Sequence, residues 1–126
     1  MTTRILLVED EPALLNLYSS TLEAEGYAVK AFKLLSAAQE ALSADLEYDL
    51  AILDFWVGKE STLEFSKVLR IRQPDIPIIF MSGGADELSL EMTSALAEAD
   101  GATEFLFKPF KMDAFLATVS TVLPSS

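Results

Sequence analysis

The chain of 126 residues contains no cysteine and no histidine. Without thiols it can form neither disulfides nor thiolate nucleophiles, and without imidazole the usual zinc sites and histidine-assisted serine or cysteine nucleophiles lose their parts. Any chemistry must come from carboxylates, hydroxyls and amines. Positive charge is scarce too: 9 Lys and Arg stand against 20 Asp and Glu, for a formal net charge of −11. Nucleic-acid binding draws on clustered cations that displace phosphate counterions, so direct nucleic-acid binding is not expected. Long apolar runs are also missing near the start, where only Arg4 precedes the short run Ile5 to Val8. That is too little for a secretory or membrane-spanning segment, so the expected location is the cytoplasm, with no membrane partner.

What is present is a hydrophobic content of 51%, which fits a globular protein. The length suits one domain over residues 1–126, with an ordered core over about 3–123 and a frayed tail, Pro124-Ser125-Ser126. Arg4 to Val8 reads as a strand. Pro12 then opens a helix with the stripe Leu14, Tyr18 and Leu22, ended by Gly26. Ala28 to Phe32 is a second strand, and Leu35, Ala38, Ala41 and Leu42 carry a helix to Leu46. The apolar run Leu50 to Asp54 is the third strand, followed by a loop with Gly58 and a helix whose face is Phe65, Val68, Leu69 and Arg72. Ile78 to Ser82 is the fourth strand, and Met92, Ala95, Leu96 and Ala99 form the next helical stripe, closed by Gly101. Phe105 to Phe107 is the core of a fifth strand, and Met112, Phe115, Leu116, Val119 and Leu123 line the final helix. Strands alternating with helices at short intervals predict an α/β fold, a doubly wound parallel sheet with helices on both faces.

In such a sheet the carboxyl ends of all strands open on one edge, where ligands bind. There the first strand delivers Glu9 and Asp10, the third Asp54, the fourth Ser82 and the fifth Lys108. Crowded carboxylates are costly, since two unit charges about 4 Å apart repel by roughly 4 kcal/mol at an effective dielectric of 20. Hard oxygen donors suit Mg²⁺ or Mn²⁺, and Lys108 and Ser82 add an ammonium and a hydroxyl. A phosphoryl group carried on a carboxylate would meet all of these.

Four pieces, Leu7-Val8-Glu9-Asp10-Glu11-Pro12, Ile52-Leu53-Asp54, Ile78-Ile79-Phe80-Met81-Ser82-Gly83 and Gly101 to Phe110, stand in an order and spacing that resemble the receiver domain of two-component response regulators over essentially the whole chain. The resemblance implies a flavodoxin-like (βα)5 fold with strand order 2-1-3-4-5 and a cis bond before Pro109. It implies Asp54 as phosphoacceptor, Glu9 and Asp10 as the acidic metal pair, Trp56 as a backbone-carbonyl metal donor, and Lys108 as the phosphate-pairing lysine. Ser82 would be the switch hydroxyl and Phe105 the switch aromatic. Also implied are a Mg²⁺-dependent transfer from a histidine kinase or histidine phosphotransfer protein and a change in binding of a downstream partner or output domain. The signalling face, which could also form a homodimer, would comprise the helix after the fourth strand, the fifth strand and the final helix. Such a protein catalyses only its own phosphorylation and dephosphorylation and is otherwise no enzyme.

Departures from the family pattern accompany the matches. Gly58 stands where the family usually has proline and Thr62 where it usually has glycine, so the loop after the third strand is expected to differ in shape. Between Ser82 and Lys108 the chain is longer than usual, which places an insertion within Gly83 to Met92, a segment that carries the acidic Asp86, Glu87 and Glu91. Trp56, two residues past Asp54, is expected near the pocket mouth, screening an acyl phosphate from water. The alternative function is a receiver-like protein-binding module that signals without phosphorylation.

Overall fold

The computed structural model describes residues 2–43, 47–83, 95, 98–99 and 101–123. In chain order the elements are β1 (Arg4–Val8), α1 (Pro12–Ala24), β2 (Ala28–Phe32), α2 (Leu35–Ala41), β3 (Leu50–Asp54), β4 (Trp56–Val57), β5 (Glu60–Ser61), α3 (Leu63–Arg72), β6 (Ile78–Ser82), β7 (Glu104–Phe107) and, as α4, the C-terminal helix (Met112–Val122). Five strands form one sheet in the order β2-β1-β3-β6-β7, and every pairing in it is parallel. With the short β4-β5 hairpin set aside, this is the expected order 2-1-3-4-5 of a doubly wound, flavodoxin-like sheet flanked by helices.

Alternation along the strands divides the core in two. Leu6 and Val8, Ala51 and Leu53, and Ile78 and Phe80 point to one side, where Leu35, Ala38, Phe65 and Leu69 of α2 and α3 cover them. Ile5 and Leu7, Leu50 and Ile52, and Ile79 and Met81 point to the other, beneath Tyr18 and Leu22 of α1 and Phe115 and Val119 of α4. The central strands β1, β3 and β6 are buried on both faces, so their apolar runs are continuous. Each large apolar side chain buried this way contributes on the order of 1.5–3 kcal/mol. The rings of Tyr18, Phe110 and Phe115 stack between α1 and α4, with centroids 5.1–5.6 Å apart.

Some details depart from the expectation. In α3 the buried face is Phe65, Ser66 and Leu69, while Val68 and Arg72 are exposed. Ser66 can occupy the inner face because its hydroxyl donates to the Leu63 carbonyl at 2.6 Å. The second helix ends at Ala41; Leu46 lies outside the described residues. Ala95 and Ala99 are helical but exposed, so they do not form an inward stripe. Met92, Leu96, the segment from Gly84 to Met92 with Asp86, Glu87 and Glu91, and the tail Pro124-Ser125-Ser126 also lie outside the described residues. Among the described residues no helix is long and apolar enough to cross a membrane.

Candidate functional site

The strand register carries three of the expected side chains to one place. Glu9 continues the alternation of Ile5 and Leu7, Asp54 that of Leu50 and Ile52, and Lys108 that of Leu106, all on the α1 and α4 side of the sheet. At the carboxyl edge Lys108 Nζ donates to Glu9 Oε1 at 2.5 Å and to Asp54 Oδ2 at 3.2 Å. Glu9 is fully buried, Asp54 nearly so, and Asp10 is exposed at the rim. Carboxylate oxygens of Glu9, Asp10 and Asp54 all lie within 4.8 Å of one another. Three hard anionic donors at that spacing fit a small divalent cation such as Mg²⁺.

The electrostatics follow from this crowding. Burial first, and then the negative charge of Glu9, push the Asp54 carboxyl from 3.8 up to about 8, against the opposing pull of Lys108. Burial alone would lower the Lys108 ammonium, but the Glu9 hydrogen bond and the charges of Asp54 and Glu9 outweigh it and hold the group above its ordinary value. Burial also pushes the Tyr18 phenol up to about 12, and its hydroxyl feels the charges of Lys108, Glu9 and Asp54. Tyr18 itself is buried in the core on the α1 and α4 side of the sheet, stacked on Phe110 and Phe115.

The remaining expected residues arrive from neighbouring strands. Ser82 is buried; its hydroxyl donates to the Gly83 carbonyl at 3.0 Å, and its own carbonyl accepts the Lys108 N–H at 2.9 Å. Phe105 is half-buried, paired with Phe80 across the β6-β7 ladder, and its ring lies 4.9 Å from that of Phe107. The bond between Lys108 and Pro109 is cis.

The loop after Asp54 is a short hairpin. Trp56 and Val57 pair with Ser61 and Glu60 in a hairpin that turns at Gly58 and Lys59. Gly58 has φ 63°, a left-handed conformation that glycine reaches without a Cβ clash. Its N–H donates to Asp10 Oδ2 at 2.9 Å. The half-buried Trp56 ring packs edge-on against Phe55, with centroids 5.3 Å apart. Thr62, also buried, donates its hydroxyl to the Asp54 carbonyl at 2.8 Å. Gly58 and Thr62 were legible only as departures from a pattern; their contacts with Asp10 and Asp54 were not.

Comparison with known proteins identifies the family. A family model described as the response regulator receiver domain matches residues 5–120. The nitrogen assimilation regulatory protein NtrX of Azorhizobium caulinodans is 29% identical over 125 residues, which is 98% of this chain but 26% of that protein. The chain thus spans about a quarter of the length of this relative. The non-phosphorylated HemR receiver domain from Leptospira biflexa has a TM-score of 0.84 at 28% identity, covering 99% of this chain and 97% of that one. The solution structure of the beryllofluoride-activated NtrC4 receiver domain dimer has a TM-score of 0.81 at 31% identity, covering 95% of each chain. With the family model running over nearly its whole length, the chain belongs to the response regulator receiver domain family.

Proposed function

We propose that the chain is a phosphoacceptor switch and that Asp54 is its nucleophile. The observation that carries this reading is the contact of one ammonium, Lys108 Nζ, with both Glu9 and Asp54, beside a third carboxylate from Asp10. An Asp54 oxygen attacks the phosphorus of a phosphohistidine on a partner kinase or phosphotransfer protein. The P–N bond breaks, its electron pair stays on the imidazole nitrogen, and the phosphoryl group remains on Asp54 as an acyl phosphate. Lys108 lies within reach of the oxygens that gain charge, and the Ser82 hydroxyl can exchange the Gly83 carbonyl for one of them. A Mg²⁺ or Mn²⁺ held by Glu9, Asp10, Asp54 and the Trp56 backbone carbonyl would supply further positive charge to the transferring group. Hydrolysis of the acyl phosphate resets the protein, so it turns over nothing but its own modification.

The signal leaves through the helix after β6, through β7 with Phe105, and through α4, whose rearrangement changes affinity for a downstream protein or output domain. The same face serves for a homodimer. The activated NtrC4 receiver, described as a dimer, supports that reading. The test is intact mass after incubation with Mg²⁺ and acetyl phosphate. Wild type gains one phosphoryl group, Asp54→Asn gains none, and chelation of the metal abolishes the gain. Absence of an adduct even with a matched kinase would sink the switch and leave a phosphorylation-independent binding module.

A further inference from the structure

We propose that Thr62 is a positioning residue for the Asp54 and Asp10 carboxylates, its buried hydroxyl locking the peptide that follows Asp54 and, through the hairpin it closes, the backbone that holds Asp10. The inference rests on the phosphoacceptor reading for what Asp54 does, but its metal arm stands apart from it.

Thr62 occupies the N-cap position of α3 without capping it. A threonine there would ordinarily turn its oxygen toward the first free amides of the helix, a contact worth about 1 kcal/mol. Here the hydroxyl points backward instead, donating to the Asp54 carbonyl at 2.8 Å with the Phe55 carbonyl at 3.4 Å. The Thr62 N–H donates to the Phe55 carbonyl at 3.0 Å. Ser61 takes over part of the helix start, its Oγ accepting the Leu63 N–H at 3.1 Å. Thr62 is 0% exposed, so water cannot replace its hydroxyl on the Asp54 carbonyl without opening the loop.

The result is a closed unit around the nucleophile. On one side Phe55 is tied into the sheet by its N–H to the Met81 carbonyl at 2.8 Å, and on the other Thr62 grips the carbonyls of Asp54 and Phe55. Between these two anchors the chain runs out and back through the paired Trp56 and Ser61 and the paired Val57 and Glu60. At the tip the Gly58 N–H meets Asp10 Oδ2. Displacing residue 62 therefore moves Asp54, the Trp56 backbone and the amide that orients Asp10 together. A glycine at this position could not make the hydroxyl contact.

The test compares Thr62→Val, which keeps the shape and removes the donor, with Thr62→Ser, which keeps the donor. Mg²⁺ affinity is read from the rise of the thermal midpoint with Mg²⁺ concentration, and phosphorylation by acetyl phosphate from intact mass at saturating Mg²⁺. In Thr62→Val the rate should fall about tenfold and the half-saturating Mg²⁺ rise several-fold, the scale of one buried hydrogen bond, while Thr62→Ser stays within about twofold of wild type in both. If the valine variant does not fold, Thr62→Ala replaces it in the comparison. Wild-type behaviour of the donor-less variant in both readouts overturns the proposal, as does an equal loss in the serine variant. Should wild type bind Mg²⁺ yet accept no phosphoryl group, the phosphoacceptor reading fails alone, and the Mg²⁺ half-saturation decides the role of Thr62. A wild type that does neither overturns both.

Discussion

Replacing Asp54 by Asn should stabilise the metal-free protein, and increasingly so as the pH rises. The Asp54 side chain is 8% exposed, and burial followed by the charge of Glu9 pushes its carboxyl from 3.8 up to about 8. The folded state thus keeps a proton that the unfolded chain sheds above about pH 4, so stability is full below pH 4 and is lost progressively toward pH 8. Over that whole window the loss is at most about 6 kcal/mol. Asparagine removes the charge at nearly constant volume, but it gives up the attraction to Lys108 Nζ at 3.2 Å and leaves a buried amide to be satisfied. About a third of the window, ~2 kcal/mol, is the expected net gain at pH 8. For a chain of 126 residues that corresponds to a midpoint higher by roughly 8 °C. Circular dichroism melts of both proteins in chelator at pH 5, 6.5 and 8 measure it. A variant less stable than wild type at pH 8, or a gap of the same size at every pH, would mean that Asp54 does not hold its proton in the folded state.

Three further outcomes probe neighbouring groups. Mg²⁺ at about 100 times its dissociation constant should stabilise wild type by ~2.7 kcal/mol, and Asp10→Asn should raise the concentration needed about tenfold, read from melts across a Mg²⁺ series; an unmoved midpoint curve would remove Asp10 from the metal site. Lys108→Ala strands the fully buried Glu9 without its cation and should cost about 3 kcal/mol in urea unfolding at pH 7, whereas a cost below about 1 kcal/mol would mean that the pair is not held as described. Trp56→Ala should shorten the lifetime of the acyl phosphate by admitting water, followed as loss of the mass adduct after the donor is removed; equal or slower decay counts against screening by the indole.

The large features were legible because they repeat. Leu50 to Asp54 and Ile78 to Ser82 are runs of apolar residues bounded by charge or turn residues, and both emerge as strands with the expected bounds. The β4-β5 hairpin was not legible, since two-residue strands are too short to show a period. Val68 shares the helical spacing of Phe65 and Leu69 yet is exposed, while Ser66 is buried with its hydroxyl bonded within its own helix. Periodicity reports which residues can be buried; packing decides which of them are.

Local patterns along the chain suffice for the alternating elements and for the placement of Glu9, Asp10, Asp54, Ser82 and Lys108 just past strand ends. That Lys108 bridges Glu9 and Asp54, that the Gly58 N–H meets Asp10, and that Thr62 turns from its helix to the Asp54 carbonyl emerge only on folding. The reason is physical. Side-chain and backbone groups choose among several partners within a few ångströms, and that choice depends on burial and on distances that arise only when the strands lie side by side.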